Sequence, residues 1–132
     1  MITPIPKPKR VFVVDDEVDI GIALKLVLET YGFSVDAFTD PTIALNSFDP
    51  QLYDILILDI KMPTMNGFEL YSKIKSKNSS FNLKTLFLTA LKDLENYENY
   101  KDNVSPKIKE RHFIQKPVSN SDLLKQVYSM VN

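Results

Sequence analysis

The sequence predicts an α/β fold in which five parallel strands form a sheet that is covered by helices on both faces. Two observations support this fold class. Short apolar runs alternate with segments of helical periodicity about five times along the chain, as expected of strands joined through helices. The apolar runs are also continuous rather than alternating with polar residues, which is typical of strands buried on both faces.

The first half of the chain is predicted to contain two strands and two helices. In order, these are a strand at 11–14, a helix at 20–31, a strand at 34–38 and a helix at 41–48. Gly32 stands where a glycine commonly ends a helix. Asp40 before Pro41 is typical of an N-cap followed by proline at the first helical position.

The second half is predicted to add three strands and three helices. The strands are placed at 54–59, 85–89 and 112–115, one helix begins after Asn66, and the last helix runs to Val131 after a capping box at Ser119 and Asp122. Residues 91–111 are highly charged and contain Pro106, so we expect one short helix followed by a loop there.

Length and composition agree with one globular unit. The 132 residues are 44% hydrophobic and 25% charged, which suffices to bury a core but leaves no room for a second domain. We expect a short extended arm over residues 1–9, where proline recurs, and a single domain over residues 10–132.

Polar side chains end or follow the predicted strands at their carboxyl ends. They are Asp15, Asp16 and Glu17 after the first strand, Asp59 on the third, Thr89 at the end of the fourth, where the backbone amide of Ala90 follows, and Lys116 after the fifth. The carboxyl ends of parallel strands share one edge, so we expect these groups to converge. Three converging aspartates would repel one another, and a cation would relieve that repulsion. Hard oxygen ligands in small number favour Mg²⁺.

Asp59 is the candidate acceptor of a phosphoryl group. A carboxylate is already ionised at neutral pH and needs no general base, and aspartyl phosphates are recognised covalent intermediates. Mg²⁺ and Lys116 would offset the phosphoryl charge, while the Thr89 hydroxyl and the Ala90 amide would donate hydrogen bonds to a phosphoryl oxygen.

Each of these residues alone has a simpler interpretation. The acidic run at 15–17 is also what a helix N-terminus favours, because negative charge complements the helix dipole. Asp59 alone is compatible with a solvated strand end. Their joint placement at four strand ends favours a functional site.

Four motifs resemble receiver domains of two-component response regulators, similar to the stand-alone chemotaxis type. They are Val-Val-Asp-Asp-Glu at 13–17, Leu-Asp-Ile-Lys-Met-Pro at 58–63 followed by Gly67, Leu-Thr-Ala at 88–90, and Lys-Pro at 116–117. The resemblance extends from Val11 to Val131. It implies a flavodoxin-like, doubly wound sheet with the strand order 2-1-3-4-5 and five helices.

The same resemblance implies a role for each acidic residue. Asp59 is the expected phosphorylation site and, with Asp16, a direct metal ligand, while Asp15 acts through a water molecule. The main-chain carbonyl of Lys61 is the implied third protein ligand. The implied activity is that of a stoichiometric phospho-acceptor in a phosphorelay rather than that of an enzyme.

The resemblance also implies a conformational switch. Thr89 and Phe113 occupy the positions of the switch pair, through which phosphorylation changes the surface of the fourth helix, fifth strand and fifth helix. The Lys116–Pro117 bond is expected to be cis. Lys61 and Leu91 occupy positions that influence loss of the phosphoryl group, and neither side chain readily orients a water molecule, so we expect slow self-dephosphorylation.

Charge and composition narrow the partners. A net charge of −1 offers no basic surface for nucleic acid or an anionic membrane, and the absence of cysteine agrees with a cytoplasmic location. We expect a histidine kinase or histidine phosphotransfer protein as donor, an unidentified downstream target, and a monomer or weak phosphorylation-linked dimer. The alternative is a constitutive interaction module that uses the receiver fold without phosphorylation.

Overall fold

A computed structural model describes residues 7–77, 84–90 and 112–131, and these contain five strands and four helices. In chain order, the elements are β1 (Arg10–Val14), α1 (Val18–Thr30), β2 (Ser34–Phe38), α2 (Pro41–Ser47), β3 (Ile55–Asp59), α3 (Gly67–Ser76), β4 (Lys84–Thr89), β5 (Phe113–Gln115) and α4 (Asn120–Val131).

The five strands form one parallel sheet in the order β2-β1-β3-β4-β5. This confirms the expected fold class and strand order. Val14 lies opposite Leu58, and Asp59 lies opposite Leu88. The register therefore brings the carboxyl ends of β1, β3 and β4 to the same edge of the sheet.

Both faces of the sheet are buried, which explains why the strands are continuously apolar. The face toward α2 and α3 carries Phe12, Val14, Leu56, Leu58 and Phe87. The face toward α1 and α4 carries Val11, Val13, Ile55, Ile57, Leu86 and Leu88. The alternation of side chains along each strand divides the core into these two layers.

Local capping sets several helix boundaries as predicted. The Asp40 carboxylate accepts hydrogen bonds from the second and third backbone amides after it, at the start of α2. Asn66 and Glu69 form a capping box at the start of α3. Ser119 Oγ accepts from the Asp122 amide before α4, and Gly32 ends α1 with a φ of 94°.

Several sequence-based boundaries are wrong by one or two residues: β1 and β4 begin one residue earlier than predicted, β3 begins one residue later, and α1 and α2 end one residue earlier. Helix α1 begins at Val18 rather than at residue 20, because Val18 and Asp19 are exposed and do not belong to the apolar face from which the helix is predicted. Strand β5 begins at Phe113 rather than at 112.

Two further expectations concern segments 91–111 and 1–9, which lie wholly or mostly outside the described residues. The short helix and loop expected at 91–111 lie outside the described residues, so the described part of the chain has four helices against the five expected in all. Most of the expected arm at 1–9 is also outside it, and residues 7–9 belong to no helix or strand. Among the described helices, each is too short or too polar to cross a bilayer.

Candidate functional site

An acidic pocket lies at the carboxyl edge of the sheet, where three predicted residues meet. Asp15 directly follows β1, and Asp59 is the last residue of β3. Carboxylate oxygens of Asp15, Asp16 and Asp59 all lie within 4.8 Å of one another. Asp15 is fully buried and Asp59 is 3% exposed, whereas Asp16 is half-buried. Two charged groups are thus held almost entirely out of water.

The backbone fixes Asp15 in this position. Its amide donates to the carbonyl oxygen of Phe38 at 3.0 Å, which continues the β1–β2 pairing by one residue. Its Oδ1 accepts a hydrogen bond of 2.9 Å from the amide of Glu17. This local turn ends the strand and starts α1, and it orients the carboxylate toward the pocket.

The start of α3 fixes the backbone of Asp59. The Gly67 amide donates to the carbonyl oxygen of Ile60 at 2.8 Å. A Cβ atom at residue 67 would stand 2.3 Å from the carbonyl oxygen of Asp59, a distance that real Cβ contacts do not reach. Glycine at 67 is therefore what permits α3 to begin directly against the candidate acceptor.

Lys116 brings the only positive charge that the described residues place against these carboxylates. Its amide donates to the carbonyl oxygen of Thr89 at 2.8 Å, which extends the β4–β5 pairing. Its Nζ lies 3.0 Å from Asp15 Oδ2 and 3.1 Å from Asp59 Oδ1. The Lys116–Pro117 bond is cis, as expected.

Burial dominates the titration of the pocket. Desolvation, and then the charge of Asp15, raise the pKa of Asp59 to about 7 despite the opposing effect of Lys116. Desolvation also raises the pKa of Asp15. Burial by itself lowers the pKa of Lys116, but its close contacts with the carboxylates of Asp15 and Asp59 outweigh that effect and raise the pKa, which holds the ammonium protonated. The single positive charge of Lys116 therefore does not fully offset the negative charges of the buried Asp15 and Asp59 carboxylates.

The carboxylates of this pocket outnumber its positive charges, and this imbalance indicates whether a cation fits there. Asp15 Oδ2 accepts no hydrogen bond of suitable geometry from the described residues, although the Lys116 ammonium is in ion-pair contact with it. Three carboxylates face one ammonium, and oxygen atoms are the ligands that a hard divalent cation prefers. The residues present fit such a cation, held by Asp15, Asp16 and Asp59. Lys61, whose carbonyl is the expected further ligand, is exposed beside them.

Thr89 ends β4 next to the residue that pairs with Asp59. It is 1% exposed, and its hydroxyl donates to the carbonyl oxygen of Ala90 at 3.0 Å. Phe113 lies opposite Phe87 in the β4–β5 ladder, so its side chain is on the same sheet face as that of Thr89. The Phe113 ring is half-buried, with its centroid 5.5 Å from that of Phe87.

Two residues have geometric roles that the sequence pattern alone does not assign. Gly67 was identified only as part of a motif, and its close approach to Asp59 requires tertiary packing. Glu17 was identified only as part of the acidic run, but its Oε1 accepts a hydrogen bond of 3.3 Å from Lys116 Nζ. Its position directly after the aspartate pair was the available signal.

Comparison with known proteins agrees with this geometry. The family model described as the response regulator receiver domain matches residues 11–128. Regulatory protein VanRB of Enterococcus faecalis is 31% identical over 122 residues, which are 92% of this chain and 52% of that protein. Response regulator RppA of Synechocystis is 37% identical over 89 residues, which are 66% of this chain and 37% of that protein.

Other relatives are much longer than this chain. Sensor protein EvgS of Escherichia coli is 40% identical over 76 residues, which are 58% of this chain but 6% of that protein. The chain spans about half or less of the curated relatives that it matches.

Solved structures show the same architecture. A response regulator receiver domain protein from Clostridium thermocellum has a TM-score of 0.76 at 26% identity, with 94% of each chain covered. A CheY-like receiver domain protein from Methanospirillum hungatei has a TM-score of 0.75 at 27% identity, with 92% of each chain covered. The family match, the strand order and the acidic pocket together identify this chain as a member of the response regulator receiver domain family.

Proposed function

We propose that this receiver domain accepts a phosphoryl group on Asp59 in a two-component signalling system. The donor is a phosphorylated histidine on a kinase or on a histidine phosphotransfer protein. The observation that supports this most directly is the contact of 3.1 Å between Lys116 Nζ and Asp59 Oδ1, within a pocket whose other acidic groups fit a divalent cation. Asp59 is thus a buried nucleophile beside a fixed positive charge.

In the proposed reaction, a carboxylate oxygen of Asp59 attacks the phosphorus atom of the donor. An O–P bond forms, the P–N bond to the imidazole breaks, and its electron pair returns to the ring nitrogen. Because the pKa of Asp59 is raised to about 7, a large share of this carboxyl is protonated at neutral pH without further compensation. Asp15, Asp16 and Asp59 would hold Mg²⁺, which would supply that compensation and positive charge for the phosphoryl oxygens.

Lys116, Thr89 and Ala90 would stabilise the product. Lys116 is protonated and already lies in ion-pair contact with Asp59, so it needs only a local movement to reach a phosphoryl oxygen. The Thr89 hydroxyl is held by a single neutral hydrogen bond to the carbonyl of Ala90, which a charged phosphoryl oxygen would outcompete as an acceptor. The Ala90 amide would donate to the same group.

Movement of Thr89 provides the link to the protein surface. Withdrawal of the threonine side chain toward the phosphoryl group would leave space on the sheet face that it shares with Phe113. The half-buried ring could then enter that space and alter the surface around β5 and α4. That surface is where we propose that an unidentified target protein binds.

Several further properties belong to the same proposal. Each chain would accept one phosphoryl group and assist its loss, rather than turn over a substrate as an enzyme does. The chain would act in the cytoplasm, without binding nucleic acid or a membrane, as a monomer or a weak phosphorylation-linked dimer. Residues 10–132 would form one receiver domain preceded by an extended arm at 1–9.

Acetyl phosphate with Mg²⁺ tests the acceptor function directly. Intact-mass measurement should show the addition of one phosphoryl group to the native chain, and none to Asp59→Asn. Asp19→Asn removes an exposed carboxylate from the first turn of α1 and should be labelled like the native chain. A native chain that stays unlabelled would contradict the proposal and favour the constitutive interaction module.

A further inference from the structure

Glu17 has a side-chain position that its own helix does not explain. It is the N-cap residue of α1, yet its side chain makes no hydrogen bond to the amides of that helix. Its backbone amide donates to Asp15 Oδ1 at 2.9 Å, which anchors the residue beside the pocket. Its carboxylate instead accepts a hydrogen bond of 3.3 Å from Lys116 Nζ, although the side chain is 63% exposed.

With this contact, the ammonium group of Lys116 lies within ion-pair distance of three carboxylates. An ammonium carries three N–H bonds. Its Nζ lies 3.0 Å from Asp15, 3.1 Å from Asp59 and 3.3 Å from Glu17. A phosphoryl oxygen on Asp59 therefore competes for Lys116 with carboxylates that already contact its ammonium group.

Glu17 is the partner that is lost most easily. Asp15 is buried and stays a carboxylate when Asp59 is phosphorylated, and removal of a compensating charge from a buried carboxylate is strongly unfavourable. The Glu17 carboxylate is exposed, so water solvates it once it is released, and its contact is weak for the same reason.

We propose that Glu17 is a positioning residue that retains Lys116 at the mouth of the pocket and thereby lowers the affinity of the unphosphorylated site for a phosphoryl group. The inference rests on the phospho-acceptor function proposed above. The contact stabilises only the free state, since the phosphoryl group replaces it. Its removal should therefore favour the bound state.

Beryllofluoride, a mimic of the phosphoryl group, measures this effect when it is titrated at saturating Mg²⁺ and followed by NMR. Glu17→Gln keeps the shape of the side chain and removes its charge. Glu17→Asp keeps the charge but is one methylene shorter, so its carboxylate is withdrawn from Lys116. Both variants should bind beryllofluoride about two- to fivefold more tightly than the native chain, the range expected for loss of an exposed ion pair.

Glu29→Gln is the matched control. It removes the same charge from an exposed position at the other end of α1, and it should bind beryllofluoride like the native chain. A second measurement uses the side-chain ¹⁵N resonance of Lys116 in the free protein. Both Glu17 variants should shift this resonance, and Glu29→Gln should not.

The outcomes separate the two proposals. If Glu17→Gln binds more tightly while Glu17→Asp binds like the native chain, the charge rather than the contact matters, and the inference is overturned. Equal affinities for all variants, or an unchanged Lys116 resonance, also overturn it while leaving the phospho-acceptor function intact. Failure of the native chain to bind beryllofluoride overturns both.

Discussion

Gly67 and Asp59 approach so closely that a Cβ atom on the glycine would stand 2.3 Å from the carbonyl oxygen of the aspartate. The atom in the way belongs to the backbone of a strand buried in the sheet, so it cannot move aside cheaply. The start of α3 and the candidate acceptor are therefore packed against each other without a side chain between them.

Gly67→Ala should destabilise the fold by about 1–3 kcal/mol, the usual cost of overpacking a buried contact. Urea unfolding of the two chains measures the difference in the free energy of unfolding. Gly21→Ala is the control. Residue 21 lies within helix α1, and a Cβ atom there would stand 3.7 Å from the Cβ atom of Ala37, an ordinary van der Waals distance. The free energy of unfolding of that variant should rise by about 0.5–1 kcal/mol, because alanine has a better helix propensity than glycine. Equal stability of native and Gly67→Ala chains would contradict the close approach.

Stability should depend on pH through Asp59. Burial, and then the charge of Asp15, raise its pKa from 3.8 to about 7 in the folded chain. Between about pH 4 and about pH 7, the folded chain keeps a proton that the unfolded chain has lost, so this group makes the free energy of unfolding fall as pH rises. At about 1.4 kcal/mol per pKa unit, the fall is on the order of 2–4 kcal/mol without Mg²⁺.

Urea unfolding across this pH range in the presence of a chelator measures the effect. The raised pKa of Asp15 acts with the same sign and the lowered pKa of Asp36 with the opposite sign, so the informative quantity is the difference in slope between the native chain and Asp59→Asn. The variant should lack the fall that Asp59 causes, and Mg²⁺ should flatten the slope of the native chain. Identical slopes for the two chains in the chelator would contradict the raised pKa.

Lys116→Met should strengthen Mg²⁺ binding by at least about tenfold. The substitution removes a positive charge that lies 3.0 Å from Asp15 and 3.1 Å from Asp59, and this charge repels a cation held by the same carboxylates. Calorimetric titration with Mg²⁺ measures the change in Kd. Lys125→Met, on the exposed side of α4, should bind Mg²⁺ like the native chain. Unchanged affinity in Lys116→Met would show that the cation does not bind at this pocket.

The phosphorylated chain should lose its phosphoryl group slowly. Lys61 is exposed two residues after Asp59, and an ammonium cannot both donate to and accept from a water molecule as a carboxamide can. The second relevant position, Leu91, lies outside the described residues. Lys61→Asn should shorten the lifetime of the phosphorylated chain, as followed by intact mass after removal of the donor. Lys77→Asn, exposed at the end of α3, should leave it unchanged. A native lifetime of only seconds would contradict the expectation.

Binding of beryllofluoride with Mg²⁺ should change the surroundings of Phe113. Its ring packs beside Phe87 and shares a sheet face with Thr89, so withdrawal of the threonine side chain changes the space available to it. The aromatic resonances of Phe113 should shift in the native chain and not in Thr89→Ala. Phe33 packs against Tyr128 instead and serves as the internal reference. Static Phe113 resonances in the native complex would refute the switch.

Local patterns were sufficient for most of the fold. Strand β2 at 34–38 was predicted with both ends correct, because Gly32 marks the end of the helix before it and Asp40 marks the start of the helix after it. The N-caps at Asp40 and Asn66 were readable because a cap depends on residues only a few positions apart. The start of α1 was misplaced because its first two residues, Val18 and Asp19, are exposed and do not belong to the apolar face of the helix. Strand order came from family resemblance, since no local pattern states which strands are neighbours.

The site divides in the same way. The sequence by itself determined which residues meet, because parallel strands present their carboxyl ends at one edge, and so Asp15, Asp59 and Lys116 could be named in advance. Only the tertiary structure decided how strongly they interact. It sets the burial that raises the pKa of Asp59 and the close approach of Gly67 to the Asp59 backbone. It also sets the hydrogen bond that Lys116 donates to Glu17. Desolvation and contact distance depend on atoms far apart in the chain, and no spacing within the sequence encodes them.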